Sequence, residues 1–527
     1  MGETYRIDFE PVGRRGFAQT GQNLLEVAQT VGIGIASVCG GAGTCQECRV
    51  RLVEGKLTPP TLIEQAALST ADLAAGFRLA CQVEPLSDIK LEIPPESLTA
   101  PQRLQLEGRE ANMEVNPCVS SQDAMGLAVD IGTTKLAAYL VHLQTGETVA
   151  KTGAMNPQIA YGEDIISRIA FIDREPDGAK KLQKILIEKI NDLLADMCSD
   201  ARLSPIGVLD AVMVGNTAMH HIAAGLPVSQ LGRAPFSPAT TKPLNISAES
   251  IGLCIAPAAN VYLPPVIAGY VGADHVAMLL ATEAWKSNRN MITLDIGTNT
   301  EISLIARGQI RCCSCASGPA FEGAHIREGM RAAPGAIERA RWFSGRIQWQ
   351  TIDDQPPIGI CGSGILDIVA AFQDGKLIRS TGALLDTGVS GYVLVPAAQT
   401  DLHRDLMVTR NDIHEVQLAK SAIRAGMESL LSEAGLTFMD LDEIIVAGAF
   451  GTYLDIRSAV RVGMFPPLPF ERFNQVGNSA GIGAKQMLVS MDKRYEAESI
   501  AGKVGYLELT TDNNFTNLFI KNLVLEA

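Results

Sequence analysis

The chain has 527 residues, room for about two to four domains, and carries 44 basic against 58 acidic side chains for a net charge of −14. That balance, with no basic block, excludes nucleic acid and anionic membranes as favoured partners, and no apolar run is long enough to span a bilayer. Eleven cysteines in a large chain without a secretory signal point to a reduced cytoplasmic setting in which some thiols ligate metal.

Residues 1–95 differ from the rest. Tyr5–Phe9 alternates as a strand, Gly13–Gly16 reads as a turn, and Gly21–Ala28 has helical spacing. Cys39, Cys45 and Cys48 follow in one glycine-rich loop, and Cys81 lies far downstream; the intervals are five, two and 32 residues. Three thiols in a loop and one distant are the ligand pattern of a plant-type [2Fe–2S] cluster. The first interval is one residue longer than that pattern and resembles the adrenodoxin-like branch. A structural zinc site is the alternative, although zinc loops normally use two close pairs. The order of strand, turn, helix and cluster loop is similar to a β-grasp ferredoxin. Residues 96–124 are polar, unperiodic and proline-containing. They predict a flexible linker of roughly 30 residues, reaching about 5–6 Å × √n, which would let the ferredoxin module move. Cys118 within it reads as a bystander.

Residues 125–290 form a first predicted ATPase lobe and 291–485 a second, with 486–527 a C-terminal segment completing the ATPase. Each lobe opens on the same motif: Gly126–Lys135 contains Asp-Ile-Gly-Thr-Thr, and Met291–Thr300 contains Asp-Ile-Gly-Thr-Asn, 165 residues later. Both predict a strand, a tight turn and a second strand. Gly132 and Gly297 let the backbone approach a ligand. Turn N–H groups, with Thr133, Thr134, Lys135, Thr298 and Asn299, can cradle phosphate oxygens. Asp130 and Asp295, where strand becomes turn, can hold hydrated Mg²⁺ or orient a water and are the candidate catalytic residues. A single copy would read as an ordinary hairpin; two copies resemble the facing phosphate hairpins of the acetate kinase, sugar kinase, heat-shock ATPase and actin superfamily.

Further glycine-rich turns follow apolar runs. Gly215-Asn216-Thr217 joins a strand to a helix, an anion site or a plain helix cap. Gly362-Ser363-Gly364 opens an apolar helix and suits a phosphate or ribose contact. Gly448, Ala449 and Gly451 end a buried strand where that superfamily places its adenosine motif. His220 and His221 are adjacent and read as structural. Cys312, Cys313 and Cys315 are too close for good shared-metal geometry and read as buried, unreactive thiols.

Together, the four-cysteine loop, Asp-Ile-Gly-Thr-Thr, Gly-Asn-Thr-Ala-Met-His-His, Asp-Ile-Gly-Thr-Asn, Gly-Ile-Cys-Gly-Ser-Gly and Ala-Gly-Ala-Phe-Gly resemble the ATP-dependent reductive activators of corrinoid proteins over nearly the whole chain. Some of those carry an extra domain between ferredoxin and ATPase, for which residues 96–124 leave no room. The resemblance implies a multidomain α+β and α/β protein: a β-grasp [2Fe–2S] ferredoxin domain, a linker, and a two-lobed actin-like ATPase of duplicated ribonuclease H-like design. It implies ATP, Mg²⁺ and the cluster as cofactors, a corrinoid protein as partner and a ferredoxin or flavodoxin as upstream donor. Homodimerisation is left open. The activity implied is ATP-dependent one-electron reduction of inactive Co(II) to Co(I), restoring a methyltransferase system in anaerobic C1 metabolism. Clusters of this type sit near about −400 mV, above the cobalt couple, so transfer is uphill and ATP is needed. Ser317 and Glu322, in the loop after the second hairpin, are candidates to face the corrinoid, with turn-capping as the other reading of Ser317. The rival functions are a redox-gated small-molecule kinase and a chaperone-like ATPase acting on a metalloprotein.

Overall fold

The computed structural model describes residues 4–35, 37, 41–43, 46, 48–94, 97–98, 106–108, 115–119, 121, 123–162, 164–323, 325–385, 391–400 and 402–525, apart from the side chains of residues 449 and 513. The chain forms two compact units, one of residues 1–103, 319–417 and 524–527, the other of residues 104–318 and 418–523.

In the first unit a five-stranded sheet runs in the order Arg14–Gln19, Thr4–Glu10, Ile89–Glu92, Arg49–Glu54, Phe77–Leu79. The inward residues of the alternating strands, Ile7, Phe9, Val50, Leu79 and Leu91, are fully buried with Leu24 and Val27 of the helix Leu24–Thr30. Asn23 caps that helix by accepting the Glu26 N–H at 2.9 Å. The same unit contains the hairpin Ala336–Phe343 and Arg346–Thr351, the short parallel strand Gly359–Ile360 and the helix Gly362–Asp374.

Residues 319–417, expected with the second ATPase lobe, pack against the ferredoxin sheet through polar contacts. Arg331 pairs with Glu10 at 2.9 Å, both buried, and also donates to the Pro11 carbonyl. Arg14 donates to the Ile358 carbonyl, and Arg404 pairs with Glu328 at 2.9 Å while reaching the Thr30 carbonyl at 3.5 Å. Buried ion pairs of this kind fix one seating more than they add stability.

The second unit states one plan twice. Its first sheet runs Leu244–Ser247, Asn260–Leu263, Val208–Gly215, Met125–Ile131, Lys135–His142, Thr148–Met155; its second runs Phe473–Gly477, Glu443–Ala447, Met291–Ile296, Thr300–Ala306, Gln309–Cys315, Val504–Tyr506. In each, the strand carrying Asp-Ile-Gly-Thr pairs antiparallel with its own hairpin partner and parallel with a strand from much later in the chain. Asp130 stands opposite Val214, and Asp295 opposite Ala447. These parallel strands are buried on both faces and read as continuous apolar runs.

Two buried helices, Ala273–Thr282 and Ser479–Val489, cross in the core. A Cβ on Gly483 would lie 2.1 Å from the Ala277 carbonyl oxygen, so only glycine allows this crossing. The amphipathic helix Gly178–Ala201 buries Leu182, Leu186, Ile190, Leu193 and Met197 along one face. Part of the predicted linker is built into this unit. Gly108 bridges Gly477, and Asn116 bonds Val489 and Met491 through its backbone. Its polar composition carries no sign of this pairing, which is made by main-chain groups. Among the described residues, no helix is long and apolar enough to cross a membrane.

Candidate functional site

The duplication brings the two hairpins of the second unit together over a set of carboxylates. Asp130 ends the strand Met125–Ile131, Asp295 ends Met291–Ile296, Glu301 begins the return strand opposite Asp295, and Asp274 lies in the first turn of the helix Ala273–Thr282. Burial and the Asp295 charge push Asp130 up to about 7, against a hydrogen bond from Asn478 that favours its ionised form. Burial pushes Asp295 up to about 6. Asp274 is raised by burial, then by Asp295 and Asp130; Glu301 is raised by burial, then by Asp274 and Asp295. Burial raises all four, and neighbouring carboxylate charge adds to it at Asp130, Asp274 and Glu301, which marks a place suited to a bound cation.

The hairpins themselves are held from behind. Arg168, fully buried, donates to the Thr133 carbonyl and at 3.0 Å to Gln158. Asn156 donates to the Gly132 carbonyl at 2.8 Å, and its N–H bonds the Thr134 carbonyl. Asn216 bonds the Thr133 hydroxyl at 2.9 Å and caps the helix Thr217–Ala224 by accepting from Met219. Asn216 thus both caps a helix and braces the first hairpin, whereas Thr217 bonds the Ala268 carbonyl at 2.6 Å and is fully buried. The start of the Asp274 helix presses on this turn: a Cβ on Gly272 would lie 2.4 Å from Cα of Asn216. Gly215 backs onto the Ile131 carbonyl, and Lys135 is half-buried at the start of the return strand. In the second hairpin the Gly297 N–H bonds the Asn299 carbonyl at 3.1 Å, and Thr298 is buried. Gly448 has φ +88°, and a Cβ there would lie 2.6 Å from Oδ1 of Asp295. Gly451 backs onto Val446; Ala449 is placed through its backbone alone.

Several expectations change. The Ser317 hydroxyl does not present itself outward. It is buried, bonds the Thr300 hydroxyl at 2.9 Å and points at the carbonyls of Gly297 and Thr298. It braces the second hairpin, because strand Gln309–Cys315 returns alongside Thr300 and leaves Ser317 beneath the turn. Glu322 sits half-buried in the short turn Pro319–Glu322 of the first unit. Gly362 and Gly364 also belong to that unit, where their glycines serve packing: Cβ atoms would lie 1.7 Å from the Phe321 oxygen and 2.0 Å from the Ile337 oxygen. Ser363 between them is buried and contacts the Cys361 sulfur at 3.4 Å.

His220 and His221 are structural, as their adjacency implies. Their rings touch at 3.2 Å, His220 bonds the Pro264 carbonyl, and burial followed by the neighbouring imidazole lowers His220 to about 3. Cys312, Cys313 and Cys315 are buried, and burial raises the first two well above an ordinary thiol.

The site residues that sequence reasoning missed are Asp274, Glu301 and Asn478. The duplication holds the signal for Glu301: laying Asp-Ile-Gly-Thr-Thr-Lys-Leu136 on Asp-Ile-Gly-Thr-Asn-Thr-Glu301 puts a carboxylate where the first copy has leucine.

In the first unit, Cys48 and Cys81 are buried with their sulfurs 3.4 Å apart. That is far beyond the roughly 2.05 Å of a disulfide and close to the about 3.7 Å that two thiolates on one tetrahedral metal adopt. Gln82 donates to the Cys81 sulfur at 3.5 Å and to the Gly41 carbonyl at 2.8 Å, and Gly41 and Gly43 take positive φ in the cluster loop. Cys39 and Cys45 lie outside the described residues. Among the described residues no three histidine, cysteine or carboxylate side chains converge tightly enough to hold a bare metal ion.

Comparison with known proteins identifies the domains that carry these residues. Residues 10–86 match the family model described as a 2Fe-2S iron-sulfur cluster binding domain, residues 125–287 the RACo middle region, and residues 289–527 the C-terminal domain of RACo, the ASKHA domain. The corrinoid activation enzyme RamQ of Eubacterium limosum is 30% identical, covering 94% of this chain and 95% of that protein. The [Co(II) methylated amine-specific corrinoid protein] reductase of Methanosarcina barkeri is 24% identical over 76% of each chain. The solved structure of a reductive activator for corrinoid, iron-sulfur protein superposes with a TM-score of 0.72 at 30% identity, covering 99% of this chain and 98% of that one. A cluster-binding ferredoxin domain joined to a duplicated ATP-binding fold, with similarity running end to end, makes this chain a member of the corrinoid reductive activator family.

Proposed function

We infer that this chain uses ATP to drive one electron from its [2Fe–2S] cluster onto the Co(II) of a corrinoid protein, regenerating Co(I) and restoring a methyltransferase system in anaerobic C1 metabolism. The observation that carries the reading is the convergence of both Asp-Ile-Gly-Thr hairpins on one carboxylate set, in a chain whose other unit buries paired thiols. The relatives' names supply the acceptor.

The chain's own groups divide the work. Backbone N–H groups around Gly132–Thr134 and Gly297–Asn299 bind phosphate oxygens, held in place by Arg168, Asn156 and Ser317. Asp130 and Asp295 suit Mg²⁺, which usually keeps its waters and binds through one or two carboxylates plus substrate phosphates. When bound, Mg²⁺ neutralises the developing phosphate charge. Asp274, raised by burial and then by Asp295 and Asp130, is the group best disposed to take a proton from the attacking water. In the ferredoxin domain, Cys48 and Cys81 with Cys39 and Cys45 would hold the cluster, and Gln82 would hydrogen-bond a ligand sulfur and so tune its potential. A low-potential ferredoxin or flavodoxin recharges it.

The test is anaerobic incubation with a Co(II) corrinoid protein and a low-potential reductant, followed by visible absorption of Co(I). Co(I) should accumulate only with ATP and intact cluster. Accumulation at the same rate without ATP would overturn the reading, as would phosphoryl transfer to a metabolite in its place.

A further inference from the structure

The segment Leu106–Gly108 closes a hydrogen-bonded chain that begins beside the candidate catalytic carboxylate. Asn478, the cap of the helix Ser479–Val489, lies beside Asp130 and favours its ionised form. Its oxygen accepts from the Gly481 N–H at 2.8 Å, and its amide reaches the Tyr139 hydroxyl at 3.3 Å. Tyr139 in turn donates to the Leu106 carbonyl at 2.8 Å. The Asn478 backbone N–H bonds the Glu107 carbonyl at 2.9 Å, so one residue faces Asp130 with its side chain and holds the segment with its backbone.

The fit is tight at both glycines. A Cβ on Gly477, at φ +72°, would lie 2.5 Å from the Glu107 oxygen; one on Gly108 would lie 2.8 Å from the Asn478 oxygen and 2.8 Å from Ile482. Lys151 pairs with Glu107 at 2.9 Å on the outer side. Farther along, Asn116 bonds Val489 and Met491, so the segment is tied near both ends of the same helix. Through Gly483 that helix also contacts the helix bearing Asp274.

Resting on the ATP-site reading above, we propose that Leu106–Gly108 is a strap whose seating is coupled to nucleotide binding, with Asn478 as the positioning residue that joins Asp130 to the strap. Asn478 is bonded to Tyr139, Gly481 and Glu107 at once while it lies beside Asp130. A cation bound with the nucleotide would draw the Asp130 carboxylate towards itself and change the charge that the Asn478 amide faces, and any shift of Asn478 moves the Glu107 carbonyl and Tyr139 that it holds. Coupling is reciprocal, so seating the strap changes nucleotide affinity by the same factor. The strap is the stretch of chain that leads from the ferredoxin domain into the ATPase. ATP binding is thereby felt on the covalent path to the electron-carrying domain.

The experiment uses the full-length protein, with a non-hydrolysable ATP analogue and Mg²⁺ as the probe. Amide hydrogen exchange is followed in peptides covering 106–108 and 477–481, and analogue affinity is measured by calorimetry. Wild type should show a change of about fivefold or more in exchange at these amides on analogue binding. Tyr139→Phe, which deletes one hydroxyl outside the candidate site, should bind analogue but lose most of that response. Gly108→Ala, which forces the strap off Asn478, should change analogue affinity by about the factor seen in exchange. Analogue binding that leaves strap exchange unchanged in wild type would overturn the inference and leave the ATP site standing. Equal analogue affinity in Gly108→Ala and wild type would also overturn it. Failure of the wild type to bind analogue would overturn the ATP reading, and the inference with it.

Discussion

Replacing Asp130 by asparagine should stabilise the nucleotide-free protein while abolishing ATP hydrolysis. In the folded state Asp130 is pushed up to about 7 by burial and by the Asp295 charge, from an ordinary value near about 4. The folded state therefore holds its proton more tightly than the unfolded chain. Stability falls as pH rises from about 4 to about 7 and is flat above, because only in that window does the folded state carry the extra proton. A rise of about three in pKa corresponds to about 4 kcal/mol. Since the carboxylate is only half-buried by area, about 2 kcal/mol is the expected share, discounted for solvent screening. The asparagine side chain of Asp130→Asn has no charge to desolvate and keeps the shape of the carboxylate. Thermal unfolding of chelator-treated protein should show the variant higher by roughly 2–3 °C at pH 8, with the gap closing toward pH 4. A variant less stable than wild type at pH 8 would refute the idea that Asp130 is held in the apo protein against charge repulsion.

Other predictions follow from the same geometry. Mg²⁺ affinity, read by calorimetry, should fall as pH drops from 8 to 6, because cation binding requires Asp130 and Asp295, raised to about 7 and about 6, to be ionised; pH-independent binding would move the metal elsewhere. Gly448→Ala should cut ATP hydrolysis by about tenfold or more, since left-handed φ costs a side chain about 1–2 kcal/mol and the new Cβ meets Asp295 at 2.6 Å; a rate within about twofold of wild type would contradict this. Cys48→Ser should abolish the visible cluster spectrum and lower bound iron and sulfide, whereas Cys118→Ser, at an exposed position, should change neither. Stoichiometric zinc in wild-type protein made anaerobically with ample iron would remove the cluster from the account.

The duplicated hairpins are legible in the sequence because strand periodicity and an identical turn sequence survive duplication, and two copies are improbable by chance. The 312–315 thiols are legible for a simpler reason, their poor spacing for a shared metal, whereas the histidines are buried and structural although their rings meet at 3.2 Å, which adjacency on a helix does not suggest. Asp274 escapes because an acidic residue in a first helical turn is an ordinary companion of the helix dipole. Asn478 escapes because an asparagine cap opens many helices, and nothing local reveals that its amide also reaches Asp130. Ser317 misleads because a serine before glycine and proline looks like an exposed turn; tertiary pairing of Gln309–Cys315 with Thr300–Ala306 turns it inward. The strap resembles a tether because main-chain pairing leaves no side-chain signature. Gly362 and Gly364 show the ambiguity of glycine, which admits a phosphate and a neighbouring backbone equally well.

The central claim, that ATP drives an electron from this chain's own cluster to cobalt, is tested most directly in a single turnover. The cluster is reduced chemically, excess reductant is removed, and the protein is mixed anaerobically with a Co(II) corrinoid protein with and without ATP. The account predicts that cluster oxidation and Co(I) formation proceed at one common rate and in one-to-one yield only when ATP is present, and that Cys48→Ser gives neither. Co(I) appearing while the cluster stays reduced, or cluster oxidation proceeding equally without ATP, would contradict it.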